Sequence, residues 1–163
     1  MPDVDTPAIR IERADAEDAP AVVELIGRVF DEYSFVWEPR TEVPDLFAFE
    51  RHYAGDAGAL WVARLGARIV GSVAVERLPD GRAELHRLYL EAGLRGRGLG
   101  LALVETVLAW CRARGIATLV LWSDTRFDRA HRLYERMGFL RTGERTLPGD
   151  VNDTREYRYE RRV

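Results

Sequence analysis

Arg95-Gly96-Arg97-Gly98-Leu99-Gly100-Leu101 is the stretch whose residue types could hold phosphate. Gly98 and Gly100 have no Cβ, so the backbone can curl tightly and a ligand can approach its N–H groups. A helical pattern opens at the same point, and the first N–H groups of a helix lack partners and carry the positive end of its dipole. Arg95 and Arg97 add guanidinium groups able to fork onto phosphate oxygens. Two other phosphate loops do not fit. The triphosphate loop needs Gly-Lys-Ser/Thr, and this chain has no lysine; the dinucleotide fingerprint needs a third glycine where Leu101 stands. Taken alone, the stretch is also compatible with a plain strand-to-helix connection.

The elements that must position this turn can be read from periodicity. Glu84 to Leu90 reads as an apolar strand entering it, and the helix that leaves it ends near Gly115, a left-handed terminator. Upstream, Ile9-Arg10-Ile11 alternates as a short strand, and Asp15 to Asp18 offers a cap for a helix running to about Phe30. Val22, Leu25, Ile26, Val29 and Phe30 make one apolar face of that helix. The aromatic stretch Tyr33 to Arg40 breaks the period and reads as a loop, and Pro44 to His52 as a second helix. Leu60–Leu65 and Arg68–Arg77 pair through Gly66-Ala67, and Pro79-Asp80-Gly81 turns the chain into an antiparallel Ala83–Leu90. Thr118–Trp122 is a continuous apolar run, as expected of a strand buried on both faces. A helix capped by Asp124 or Thr125 ends at Gly138, and Phe139–Leu147 and Thr154–Arg161 form a closing hairpin. The order β-α-α-β-β-β-α-β-α-β-β predicts one mixed α/β domain over residues 1–163.

The totals exclude several classes. A length of 163 residues suits one domain with a sizeable core. Hydrophobic residues at 47% and charged ones at 31% argue against global disorder. A net charge of -3 gives no overall case for nucleic acid or an anionic membrane. Cys111 is the only cysteine, so no intrachain disulfide or multi-cysteine metal site is possible, and His52, His86 and His131 lack ligand-like spacing. No apolar run approaches the ~18 residues of a membrane span. MPDVDTPAIR does not read as a signal peptide, so the expected location is cytoplasmic.

Arg95, Gly98 and Gly100 meet the pattern Arg/Gln-x-x-Gly-x-Gly/Ala, and Arg132-Leu-Tyr-Glu-Arg-Met-Gly-Phe139 follows about 35 residues later. With the strand before the first motif, the chain resembles the GCN5-related N-acetyltransferase (GNAT) superfamily. The matching segments cover roughly Leu60 to Phe139, and the element order is compatible throughout. The resemblance implies acetyl transfer from acetyl-CoA to an amine of a small molecule or peptide, by direct transfer in a ternary complex without a metal. A homodimer is compatible with it. A non-catalytic module that senses acyl-CoA is the alternative from a different class, favoured where the base is missing; here Glu84, His86 and Tyr134 are all present.

The same resemblance assigns positions. Leu88-Tyr89-Leu90 lies where the family places a bulge on its fourth strand, and a bulge leaves backbone groups free for pantetheine amides or a developing oxyanion. The side chains of Leu88 and Leu90 read as core. The pyrophosphate would sit on the amides of Arg95, Gly96, Arg97, Gly98, Leu99, Gly100 and Leu101. Glu84, eleven residues before Arg95, matches the catalytic glutamate of the histone-modifying branch. His86 shares its face if the strand is regular, and histidines titrate nearer neutrality. An alkyl ammonium with a pKa near ~10.4 needs such a base, unless water serves; a solvated strand-start residue and a core histidine are the plain alternatives. Tyr134 matches the tyrosine of Tyr-x-x-x-Gly-Phe, which protonates or hydrogen-bonds the departing thiolate; otherwise it packs a helix. Phe127 stands where relatives often carry a pantetheine-binding asparagine, so that contact is lost or replaced. Tyr33, Phe35 and Trp37 occupy the segment that lines the acceptor side, where aromatics could hold an apolar group or a cation, or could pack on each other. Cys111 reads as helix packing.

Overall fold

Among the described residues, seven strands join one sheet: β1 (Ile9–Arg13), β2 (Gly58–Leu65), β3 (Arg68–Arg77), β4 (Ala83–Leu90), β5 (Thr118–Asp124), β6 (Leu140–Thr146) and β7 (Arg155–Arg162). Their spatial order is β1-β2-β3-β4-β5-β7-β6, antiparallel at each pairing except β4 with β5. This computed structural model describes residues 8–163, so most of the stretch read for a signal peptide lies outside the described residues. Among them, no helix is long and apolar enough to cross a membrane.

Among the described residues, five α-helices flank the sheet: α1 (Ala19–Glu32), α2 (Pro39–Glu42), α3 (Phe49–Tyr53), α4 (Leu99–Ala113) and α5 (Asp128–Arg136). On one face α1 buries Val22, Leu25 and Ile26 against Leu60, Val62 and Ala74. On the other, α4 buries Leu103, Val104, Val107 and Leu108 against Val73, Leu85 and Leu121. Each of these side chains except Ala74 contributes about 1.5–3 kcal/mol when fully removed from water. The apolar centre of β5, Leu119 to Leu121, is buried throughout, as its unbroken hydrophobic run predicts.

Two details depart from the sequence expectations. The helix expected over Pro44–His52 is a 3₁₀ turn, Pro44–Phe47, followed by α3. Pro44 begins a fresh turn, and Ala48 at φ −131°, ψ 42° interrupts any helix across it. The aromatic stretch before it ends in α2, again started by a proline. The expected caps also move. Asp15 accepts from the Glu17 amide and holds a 3₁₀ turn ahead of α1. Asp124 accepts from the Arg126 amide and shapes the loop before α5, which starts four residues later without a side-chain cap.

The functional geometry follows from β4. Glu84 and His86 point to the α1 side, while Leu85 points to the α4 side. Strict alternation would keep Leu88 and Leu90 with Glu84, yet both pack against the α4-side core. The reason is a bulge: Ser72 pairs with Tyr89 and Ala74 with His86, so Arg87 and Leu88 together oppose Val73. Arg87 adopts φ +57°, the left-handed region. The fourth strand therefore carries its bulge at Arg87–Leu88, one residue before the Leu88–Leu90 segment. Beside it, β4 and β5 pair only over Ala83–Leu85 and Leu119–Leu121. Past that point β4 continues on β3 and β5 on β7, and a cleft opens between them.

Trp37 closes the α1 side by packing on helix backbone. A Cβ built on Gly27 would lie 2.8 Å from Trp37 Nε1, and the indole sits 4.7 Å from the Phe30 ring. Gly27→Val should therefore lower stability by roughly 1–3 kcal/mol by overpacking, although valine is the better helix former. Urea denaturation reads this directly, and an unchanged midpoint would mean that the indole gives way freely.

Candidate functional site

Two cavities meet in the cleft between β4 and β5. The larger, about 690 Å³, runs past Leu88, Leu90, Gly98 and Gly100 toward the exposed side of α5. The smaller, about 310 Å³, contains Glu84, His86 and Tyr134 and is walled by the β6–β7 hairpin. Leu88, Tyr89, Phe127 and Ala130 line both and so form the waist.

The glycine turn faces the larger cavity. Gly96 and Gly98 have φ +77° and +83°, and Gly98 precedes α4 with no side-chain cap on its first amides. A Cβ on Gly98 would meet nothing, so its requirement is conformational. Gly100 is the position of close approach: a Cβ there would lie 3.1 Å from Leu133 Cδ2 and 3.3 Å from Leu90 Cδ1. Uncapped amides at the start of a 15-residue helix, beside an open cavity, suit a phosphate group.

The arginines are arranged differently from the sequence expectation. Arg95 lines the cavity, but its guanidinium is held bidentately by Glu32 at 2.6 and 2.9 Å and by the Leu90 carbonyl at 2.8 Å. It acts as a strut between α1 and β4. Arg97 and Leu99 do not line the cavity, and Leu99 is buried in the core. The cations that do line it without an ion pair among the described residues are Arg129, Arg132 and Arg136 of α5. Their spacing of three and four along Asp128–Arg136 places them on one helix face, a signal present in the sequence.

In the smaller cavity Glu84 and His86 share a face, with Glu84 Oε1 4.0 Å from His86 Nδ1. His86 Nε2 is engaged with the Tyr53 hydroxyl at 3.0 Å and Glu76 at 3.3 Å. Glu76 also meets His52 Nδ1 at 3.0 Å. Burial would raise the Glu76 carboxyl, but hydrogen bonds from His86 and His52 outweigh it and hold the group below the usual range. Behind the bulge, Arg87 grips Asp45 at 2.5 Å, and Tyr53 donates to the same carboxylate at 2.5 Å. The Ser72 hydroxyl donates to the Arg87 carbonyl at 2.7 Å. The left-handed residue is thus fixed at its side chain and its carbonyl.

Tyr134 is 4% exposed, with its ring 5.6 Å from those of Phe139 and Tyr159. Its hydroxyl has no hydrogen-bond partner among the described residues, and burial, aided by Tyr89 and Tyr159, pushes it above the usual tyrosine range. Of the aromatic trio, Phe35 lines the smaller cavity, Tyr33 lines the larger, and Trp37 lines neither. Phe127 fills the waist, 4.9 Å from the Tyr33 ring and 6.4 Å from that of Tyr89. Burial raises the Cys111 thiol to about 11, in keeping with a packing role.

The family model described as "Acetyltransferase (GNAT) family" matches residues 24–139. N-acetyltransferase 8F1 of Rattus norvegicus is 39% identical over 113 residues, covering 66% of this chain and 50% of that protein. N-acetylaspartate synthetase of Danio rerio is 36% identical over 110 residues, covering 64% of this chain and 39% of its own length. The chain spans about half the length of the first relative and less of the second. Among solved structures, a GNAT-family acetyltransferase from Staphylococcus aureus Mu50 superposes with a TM-score of 0.83 at 24% identity, over 95% of this chain and 99% of the other. The Escherichia coli ribosomal-protein-S18-alanine N-acetyltransferase gives 0.74 at 21% identity, over 96% and 94%.

Proposed function

The chain belongs to the GNAT acetyltransferase family, and on that premise we propose that it moves an acetyl group from acetyl-CoA to an amine, by direct transfer in a ternary complex. The carrying observation is the waist, where a phosphate-suited cavity meets one holding a carboxylate, a histidine and an unpartnered phenol. A cytoplasmic location stays part of this reading.

Acetyl-CoA, when bound, supplies the activated thioester. The uncapped amides of α4 and the free arginines of α5 would hold its phosphates. The bulge takes Arg87 and Leu88 out of regular pairing; the Arg87 carbonyl is held by Ser72, and the Leu88 backbone at the waist would serve the pantetheine and the carbonyl oxygen. Glu84 is the better candidate base, because His86 Nε2 is already engaged; His86 orients Glu84 or relays its proton through water. The reacting ammonium gives one proton to Glu84. Its nitrogen forms the amide bond as the carbon–sulfur bond breaks, and its remaining surplus proton is lost to solvent. Tyr134 donates to the departing sulfur.

Acetyl-CoA at about 100 times its Kd should stabilise the protein by about 2.7 kcal/mol, raising Tm by roughly 5–10 °C. Gly98→Val should remove most of that shift, since valine does not hold φ +83°. No shift in the wild type at millimolar cofactor would sink the reading. A shift without thiol release in the presence of any amine would leave a sensor.

A further inference from the structure

The smaller cavity carries more negative charge than its walls neutralise. Glu42, Glu84, Asp124 and Glu156 line it. Asp124 is spent on Arg126, with contacts at 2.9 and 2.8 Å, and Glu156 on Arg145 at 2.7 Å. The remaining lining cation, Arg87, is spent on Asp45 at 2.5 Å. Two carboxylates are left over. Glu84 has only His86, at 4.0 Å. Glu42 has one carboxylate oxygen buried without any hydrogen-bond partner.

Such a group costs free energy unless something pairs with it. Burial raises the Glu42 carboxyl above the usual range, and Asp150, Glu38 and Asp124 push the same way, with only Arg87 opposing. The potential around it is therefore one that a cation would relieve. Tyr134, 4% exposed, lines the same cavity with its hydroxyl unpartnered, so the sulfur it serves and an amine drawn in by these carboxylates would meet in one place. Phe30, Phe35 and Trp122 give the cavity apolar faces suited to a short methylene chain.

We propose that the acetyl acceptor is a diamine or polyamine, whose second cationic group is held by Glu42 while the reacting amine approaches the waist past Glu84. This rests on the acetyl-transfer reading and narrows it. An acceptor with a carboxylate in place of the second ammonium would face two unneutralised carboxylates and no free guanidinium, and like-charge contact disfavours it strongly.

Three acceptors of matched chain test this on the wild-type protein: 1,4-diaminobutane, butylamine and 4-aminobutanoate, each assayed by thiol release from acetyl-CoA. The expected order of kcat/KM is diamine, then monoamine, then amino acid, with about tenfold or more between the first two. Glu42→Gln should reduce the diamine-to-butylamine ratio to within about threefold, since the amide keeps the shape without the charge. Equal turnover of diamine and monoamine, faster turnover of 4-aminobutanoate, or a ratio untouched by Glu42→Gln would each overturn the proposal. If none of the three is acetylated while acetyl-CoA still raises Tm, the diamine class is wrong and the acetyl-transfer reading is left intact. If acetyl-CoA does not bind, both fall.

Discussion

Tyr134→Phe is expected to lower kcat by roughly 10- to 1000-fold, with the affinity for acetyl-CoA little changed. The substitution removes one oxygen and keeps the ring, so the packing on Phe139 and Tyr159 survives. It breaks no hydrogen bond among the described residues, so stability should hold or rise slightly. Burial raises the phenol above the usual tyrosine range, so near neutral pH it keeps its proton and can donate it to a hydrogen bond with sulfur. That choice also bounds the size of the effect. Free thiols titrate near ~8.5, well below this phenol, so full proton transfer to sulfur is uphill even after the carbon–sulfur bond has broken, and the phenol acts chiefly as a hydrogen-bond donor to the thiolate. A charge-assisted hydrogen bond to sulfur is worth about 1.5–3 kcal/mol, or roughly 10- to 150-fold, and only complete transfer would reach the upper end. Single-turnover kinetics at saturating amine separates the chemical step from product release. An unchanged single-turnover rate would return Tyr134 to a packing role.

The turn, the strand before it and the helix after it were legible because each depends on neighbours within a few residues. Gly98 needs φ +83°, and the apolar period that opens α4 is written in Leu99, Leu103, Val104 and Val107. The break inside the stretch read as a helix over Pro44–His52 was not legible: the proline marks where a turn starts, but nothing local shows that the turn stops at Phe47 and that Ala48 leaves helical geometry. What escaped reading depends on partners far away in sequence. Arg95 looked free for phosphate, but its partner Glu32 lies 63 residues earlier. Trp37 looked like an acceptor aromatic, but a glycine on α1 gives it a seat on the helix backbone. Arg87 gave no local sign at all. Its conformation exists because Asp45, 42 residues upstream, and Ser72, on the adjacent strand, hold it there.

That grip leads to the largest expected loss of stability. Arg87→Ala should cost about 3–5 kcal/mol, because it leaves the Asp45 carboxylate, 5% exposed, without its countercharge. The left-handed conformation costs alanine about what it costs Arg87, so it adds nothing to the difference. Acidification offers a check that a packing defect alone would fail. Burial pushes the Asp45 carboxyl up, but Arg87 and the Tyr53 hydroxyl outweigh it and hold it below the usual value. In the wild type, this contribution is present above the unfolded pKa of about 3.9 and lost as pH falls through the lower folded value. Without Arg87, burial dominates and the folded pKa should rise above the unfolded one. The variant would then be penalised as pH climbs through that window, so its deficit relative to wild type should shrink from pH 7 toward pH 4. Asp45→Asn added to Arg87→Ala should recover part of the loss at pH 7, since the buried charge is gone. Urea denaturation of the three proteins at pH 7, 5 and 4 reads all of this. A deficit below about 1 kcal/mol at pH 7, or one that does not change with pH, would mean that the bulge is held by Ser72 and the β3 ladder rather than by the Arg87–Asp45 pair.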